Sequence, residues 1–172
     1  MIMRRGQALL LPVNPLFITA SLLAALALNL LPLGRTAVVP DLLALVLVFW
    51  NVHQPRRVGM VIAFLFGLVM DVHQGALLGQ HALAYTLLSF GAFSMHRRLL
   101  WFNVPVQSLQ VLPLFLAAQL VTLLVRLAAG GLYPGWSMWL APLIQAALWP
   151  LASVLLLAPQ RRAPDPDENR PL

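Results

Sequence analysis

Long apolar stretches separated by short polar breaks run through most of this chain. Six of them have about the length at which a helix crosses a bilayer, roughly 20 residues, although the third and fourth are thin for a core of about 30 Å. They cover residues 12–33, 38–53, 58–72, 77–95, 107–128 and 138–157. Apolar residues are contiguous within each stretch, so the pattern predicts helices rather than the alternating strands of a membrane barrel.

Arginine doublets mark every second break between these stretches. The four doublets are Arg4-Arg5, Arg56-Arg57, Arg97-Arg98 and Arg161-Arg162. Each interval holds two helices and a short turn, which is typical of the positive-inside rule. The pattern predicts six transmembrane helices with both termini in the cytoplasm. Two alternatives stay open, a lipid-binding role for the doublets and a cleaved signal segment with Ala25-Leu26-Ala27 as its processing site.

Composition agrees with a membrane protein and excludes several other classes. The 172 residues are 60% hydrophobic and 9% charged, whereas soluble domains are about one quarter charged. The net charge is +6, but the arginines form no stripe interleaved with aromatic residues, so we expect no nucleic-acid partner. We predict one transmembrane domain over residues 1–158 and a disordered cytoplasmic tail over 159–172, which carries four prolines and three acids.

Two aspartates stand alone in this apolar sequence. Asp41 and Asp71 are the only carboxylates before residue 164, and an ionised carboxylate in hydrocarbon is costly unless it is paired or hydrated. Asp41 lies fifteen residues before Arg56, and Asp71 lies fourteen residues after Arg57. At about 1.5 Å per helical residue, each acid stands roughly 21 Å above the arginines. The spacing therefore places both acids at one depth, in the outer half of the membrane.

The partners of these acids are not fixed by the sequence. Arg126 and Arg35 lie near the outer ends of their stretches, so either could pair with an aspartate. Alternatively, both acids border the outer aqueous phase and cap helix ends or loops. For Asp41, which follows Pro40 at a helix start, the N-terminal cap is the favoured role.

Other polar residues give little support for catalysis or metal binding. His73 and His81 follow Asp71 at spacings that fit no standard zinc site, so we expect an interfacial His73 and an interhelical hydrogen bond from His81. Interhelical hydrogen bonds are also expected from Asn29, Gln110, Gln119 and Gln145. No serine lies in a Gly-x-Ser-x-Gly elbow, and the single glutamate is Glu168 in the tail. We expect no enzyme activity, cofactor or metal.

The middle of the chain carries a recognisable set of motifs. It contains Phe-x-x-Gly-Leu-x-x-Asp ending at Asp71, then Gly75, Leu78-Gly79 and Tyr85, and before these Pro40-Asp41, Trp50 and Gln54-Pro55-Arg56. With the later Ala147-Leu148-Trp149-Pro150, this pattern resembles the rod shape-determining protein MreD family, in its proteobacterial branch. The resemblance covers nearly the whole chain.

The resemblance implies a non-enzymatic, multi-pass subunit of the bacterial inner membrane. It implies a helical arrangement similar to the S-components of energy-coupling-factor transporters. The implied partners are MreC and, directly or indirectly, MreB, RodA and a class B penicillin-binding protein, besides membrane lipid and a possible second copy of the chain. The positions that carry over by motif are Pro40, Asp41, Trp50, Pro55, Gly67, Asp71, Gly75, Gly79 and Tyr85.

Three functions are compatible with these observations. The leading hypothesis is a scaffold that holds MreC, with a polar or partner-binding cluster of Pro40, Asp41, Gly67, Asp71, Gly75, Gly79 and Arg126. The alternative is a small-molecule-binding subunit of a transporter, whose cavity would be lined by the two acids, His81 and Arg126. A third hypothesis is contact with an isoprenoid-linked wall precursor through Arg126 and Arg35.

Overall fold

The computed structural model describes residues 13–31 and 39–160. These segments consist of helices and contain no strand, which confirms the all-α prediction. The six α-helices are α1 Pro15–Leu30, α2 Leu42–His53, α3 Pro55–Gln74, α4 Gln80–Leu100, α5 Val104–Ala128 and α6 Leu140–Leu157, with 3₁₀ helices at Trp136–Trp139 and Ala158–Gln160. Arg35, the doublets Arg4-Arg5 and Arg161-Arg162, and residues 161–172 of the predicted tail lie outside the described residues.

Helix α2 forms the centre of the bundle. Nine of its twelve residues are buried, and it packs against α1, α3, α4 and α6. Apart from Asn51 and His53 its sequence is apolar, as expected for a helix surrounded by other helices. The indole of Trp50 is fully buried, and its Nε1 donates a 2.8 Å hydrogen bond to Ser21 Oγ on α1.

The outer sides of the surrounding helices are as apolar as the core. Leu23, Val61 and Leu109 are 57%, 72% and 70% exposed. Two helical stretches, Val104–Ala128 and Trp136–Gln160, are long and apolar enough to cross a membrane, and α1 and α2 are shorter apolar helices. Only 17% of the apolar window of α5 is buried inside the protein, whereas the core helix of a soluble protein would be mostly buried. This distribution is compatible with a bundle whose outer surface faces lipid.

Several helix boundaries differ from the predicted stretches. Helix α4 begins at Gln80 and continues through Leu100, so the Arg97-Arg98 doublet belongs to its last turn and does not follow its end. Helix α5 begins at Val104, three residues earlier than predicted, and contains Pro113. After α6, the 3₁₀ turn Ala158–Gln160 carries helical structure into the first residues of the predicted tail, which was expected to begin at residue 159. Hydropathy predicts where an apolar stretch ends, whereas the hydrogen bonds of a helix can continue into the polar residues that follow. The helix ends therefore differ from the ends of the stretches.

Helix α3 is interrupted near its start. Gly59 has φ 47° and ψ 175°, which is not helical, so the turn that carries Arg56 and Arg57 is offset from the rest of the helix. Backbone angles in this region are essentially restricted to glycine. The predicted third stretch, residues 58–72, therefore corresponds mainly to the segment of α3 that follows this break.

Candidate functional site

Asp41 is the N-terminal cap of α2. Its backbone is extended, and its Oδ1 accepts a 2.9 Å hydrogen bond from the N–H of Ala44. This bond satisfies one of the N–H groups that a helix start leaves without an intrahelical partner. The predicted capping role is confirmed. Pro40 precedes the cap, so its missing N–H lies outside the helix.

The same residue joins four helices. Asn29 on α1 donates from Nδ2 to Asp41 Oδ1 at 2.6 Å, and its own Oδ1 accepts from the N–H of Leu42 at 3.1 Å. From α4, the hydroxyl of Tyr85 donates to Asp41 Oδ2. From α6, Gln145 Nε2 donates to the backbone carbonyl of Asp41 at 3.1 Å. Asp41 therefore fixes the positions of α1, α4 and α6 relative to the start of α2.

Asp71, in the last turns of α3, caps the next helix. Its side chain is fully buried and accepts from the N–H of Gly79 at 2.8 Å and of His81 at 2.7 Å, with a longer 3.4 Å contact from Ala82. The positive φ of Gly75 (61°) and Gly79 (102°) lets the chain turn back so that the start of α4 reaches this carboxylate. A negative charge at a helix N-terminus is also favoured by the helix dipole.

His81 completes the pairing of Asp71. Its ring Nδ1 lies 2.8 Å from Asp71 Oδ1, which suits an Nδ1–H donor. The expected interhelical hydrogen bond from His81 is thus present, and His73 is exposed. We call the side chains of Asn29, Asp41, Asp71, His81 and Tyr85 the α4 polar cluster, since both acids accept hydrogen bonds from the first turns of α4 and Asn29 bonds to Asp41.

The two aspartates contact adjacent turns of one helix. His81 binds Asp71 and Tyr85 binds Asp41, and the two rings meet edge to face with centroids 6.1 Å apart. Four residues along a helix correspond to about 6 Å, so both carboxylates lie at similar heights on α4. This agrees with the shared depth predicted from the arginine doublet.

Close packing of α3 on α4 depends on Gly67. A Cβ at this position would lie 2.5 Å from the backbone nitrogen of Ala82 and 2.7 Å from the carbonyl carbon of His81. These neighbours are backbone atoms, so no side-chain rotation would relieve the overlap. Gly67 therefore allows the α4 start to approach α3 closely enough for Asp71 to cap it.

Arg126 does not take part in this cluster. It lies in the last turn of α5, is exposed, and is not within salt-bridge distance of Asp41 or Asp71. Over residues 13–31 and 39–160, the Asp71–His81 contact is the one between an acid and a basic side chain within salt-bridge distance. Pairing of an acid with Arg126, one of the alternatives that the sequence left open, is therefore not found, because backbone N–H groups, a hydroxyl, an amide and an imidazole already occupy the carboxylate oxygens. Pairing with Arg35 lies outside the described residues.

Some polar contacts were not predicted. The Tyr85–Asp41 bond was missed, although Tyr85 follows His81 by four residues and thus shares its face. Trp149 Nε1 on α6 also donates to Gln107 Oε1 on α5 at 3.1 Å. Of the expected interhelical amides, Asn29 and Gln145 bond across helices, but Gln110 Oε1 is buried without a partner. Gln119 forms no side-chain hydrogen bond within the described residues.

The α4 polar cluster is equipped to hold helices together. Its carboxylates accept hydrogen bonds from the chain itself, and within the described ranges no three His, Asp or Glu residues converge to hold a metal ion. Polar groups of this kind in membrane helices contribute interhelical hydrogen bonds and fix the arrangement of the bundle. The hydrogen bonds of the cluster link α1, α2, α3 and α4.

Comparison with known proteins gives a family. The family model of rod shape-determining protein MreD matches residues 10–158. A relative in Haemophilus influenzae, named Rod shape-determining protein MreD, is 28% identical over 135 residues, which cover 76% of this chain and 81% of the relative. No solved structure matches the chain significantly. Because the family match spans most of the chain and contains the whole α4 polar cluster, the chain belongs to the MreD family of rod shape-determining membrane proteins.

Proposed function

We propose that this chain is a non-catalytic, multi-pass subunit of the bacterial inner membrane that binds MreC within the elongation complex. In this role it helps to couple the MreB filament to peptidoglycan synthesis by RodA and a class B penicillin-binding protein. Membership of a shape-determining family and the lipid-compatible surface of the bundle both support the proposal.

The observation that carries the proposal is the internal use of both membrane acids. Asp41 accepts from Asn29, Ala44 and Tyr85, and Asp71 accepts from Gly79 and His81. A catalytic or solute-binding carboxylate needs an accessible oxygen, whereas Asp71 is 0% exposed. Acids whose oxygens accept hydrogen bonds from the chain itself stabilise one arrangement of helices, as a scaffold requires.

The outside of the bundle offers a surface for a partner's membrane segment. Leu87, Phe90 and Phe93 on α4 are 46%, 54% and 46% exposed, and Leu120 and Leu124 on α5 are similarly exposed. In lipid, helices associate through packing rather than hydrophobic burial, so a rigid outer face with fixed side chains favours a specific partner. This geometry is compatible with MreC binding through its membrane helix.

The transporter alternative receives less support from the geometry. It needs Asp41, Asp71, His81 and Arg126 to line one cavity, but Asp71 is fully buried and Arg126 lies away from the acids. To reach the Asp71 carboxylate, a solute would have to displace the backbone N–H groups that it caps at the start of α4. The resemblance to S-components of energy-coupling-factor transporters stays a prediction from the sequence.

Purification of the tagged chain from native membranes distinguishes these functions. We expect MreC to be recovered at a constant ratio to the chain, and native mass spectrometry to show no bound water-soluble compound. The control is an unrelated multi-pass protein with the same tag, purified in parallel. A stoichiometric small solute together with recovery of MreC no higher than in the control would contradict the proposal.

A further inference from the structure

An apolar groove lies between α1 and α3, away from the α4 polar cluster. Both helices pack on α2, but they have few contacts with each other, and a cavity of about 520 Å³ remains between them. Its walls include Thr19 and Leu23 of α1 and Ile62 and Phe66 of α3, and Arg57 lies at one end. The volume is within the range of small-ligand sites.

Arg57, at the end of the groove, is held by a hydrogen bond but has no acidic partner among the described residues. Arg57 Nη1 donates a 3.0 Å hydrogen bond to the carbonyl of Val13, which precedes α1. No acid pairs with this guanidinium within the described ranges, and the side chain is exposed. A guanidinium has five N–H donors, so several remain for a ligand. The groove therefore has apolar walls and, at one end, a guanidinium with N–H donors that a ligand can use.

The charge at one end of the groove favours a lipid over a protein helix. From Pro15 to Leu23 the lining of α1 extends over roughly 12 Å of helix. An apolar protein helix, about 10 Å wide with its side chains, would leave the Arg57 guanidinium without an anionic partner. A single acyl chain is much thinner, and a phosphate at its head would meet Arg57, whose planar fork matches phosphate oxygens.

We propose that this groove binds one anionic phospholipid of the cytoplasmic leaflet, with its phosphate at Arg57 and an acyl chain between α1 and α3. The leaflet follows from the predicted cytoplasmic position of the Arg56-Arg57 doublet. The anionic class follows from charge, because phosphatidylethanolamine carries an ammonium group that Arg57 repels, whereas phosphatidylglycerol carries none.

Native mass spectrometry of the delipidated full chain with an equal mixture of phosphatidylglycerol and phosphatidylethanolamine tests the proposal. We expect one phosphatidylglycerol per chain in preference to phosphatidylethanolamine. Arg57→Gln should retain about tenfold less, the effect of one lost charge-assisted hydrogen bond. Arg56→Gln is the charge-matched control, since Arg56 does not line the groove, and it should retain the lipid.

A second pair of variants tests the groove without changing charge or the Arg57–Val13 bond. Thr19→Trp places an indole in the groove and should exclude the lipid, whereas Ala20→Trp, on the next residue, which is also exposed but does not line the groove, should not. Far-ultraviolet circular dichroism checks that each variant is folded. The proposal would be overturned by equal losses in Arg56→Gln and Arg57→Gln, by equal binding of both lipids, or by unchanged binding in Thr19→Trp. A partner helix cross-linked at Thr19, with no lipid bound, would also overturn it.

Discussion

The two aspartates of the α4 polar cluster accept hydrogen bonds from different kinds of donor. Both oxygens of Asp71 receive backbone N–H groups, from Gly79 at Oδ2 and from His81 at Oδ1. Asp41 Oδ1 accepts hydrogen bonds from the Ala44 N–H and the Asn29 amide, whereas its Oδ2 accepts one from the Tyr85 hydroxyl. A hydroxyl can both donate and accept, whereas a backbone N–H only donates. The same substitution therefore has different consequences at the two sites.

Asp71→Asn should destabilise the protein much more than Asp41→Asn. At position 71 the new amide NH₂ would face a backbone N–H, and a buried unsatisfied donor costs about 1–3 kcal/mol. At position 41 the amide NH₂ can donate to the Tyr85 oxygen, and Asn is as good an N-cap as Asp, so we expect a loss within about 1 kcal/mol. Chemical denaturation in detergent measures both changes. Equal losses would contradict this assignment of donors and acceptors.

The roles of single residues were partly predictable from the sequence. Chain spacing from Arg56 and Arg57 was enough to place both acids at similar heights, and the Pro40-Asp41 pair was enough to predict a cap. The partners of the acids were not predictable, because hydrogen bonds such as Tyr85–Asp41 join residues 44 positions apart and depend on how α2 and α4 rotate. For the same reason the sequence could not decide whether Arg126 pairs with an acid.

Individual helices are limited by packing as well as by bilayer thickness. Helix α2 has twelve residues, about 18 Å, and is therefore shorter than the hydrocarbon core. It begins at the Asp41 cap and ends before Pro55, and its neighbours surround it. Its hydropathy predicted a helix, but its central position became visible only in the fold. Likewise the α4 end was misplaced because arginines at a polar interface do not interrupt a helix.

Gly67→Ala should separate α3 from α4. Its Cβ would overlap backbone atoms of His81 and Ala82, so the helices must move, and overpacking of this kind costs about 1–3 kcal/mol. Gly91→Ala is the matched control on α4, since its Cβ would meet only the Leu114 Cδ2 atom, at 2.7 Å, and that side chain can rotate. The melting temperature in detergent should fall clearly in Gly67→Ala and little in Gly91→Ala. The opposite order would contradict the close α3–α4 contact.

At the scale of the whole molecule, the predicted orientation can be tested directly because the chain contains no cysteine. Trp101, beside the Arg97-Arg98 doublet, is 89% exposed, and Leu132, between α5 and α6, is 83% exposed. Cysteine at 132 should react with a membrane-impermeant maleimide in intact spheroplasts. Cysteine at 101 should react only after permeabilisation. Labelling of both positions from outside would contradict six spans with cytoplasmic termini.

The most direct test of the scaffold function is the amount of MreC recovered per tagged chain from membranes that contain wild type, Asp41→Asn or Asp71→Asn. If the α4 polar cluster holds the bundle in the form that MreC recognises, recovery should be near wild type for Asp41→Asn and strongly reduced for Asp71→Asn. Chain levels in the membrane are measured in parallel, so that recovery is expressed per chain present in the membrane. Undiminished MreC recovery by Asp71→Asn, together with normal cell width, would contradict the account.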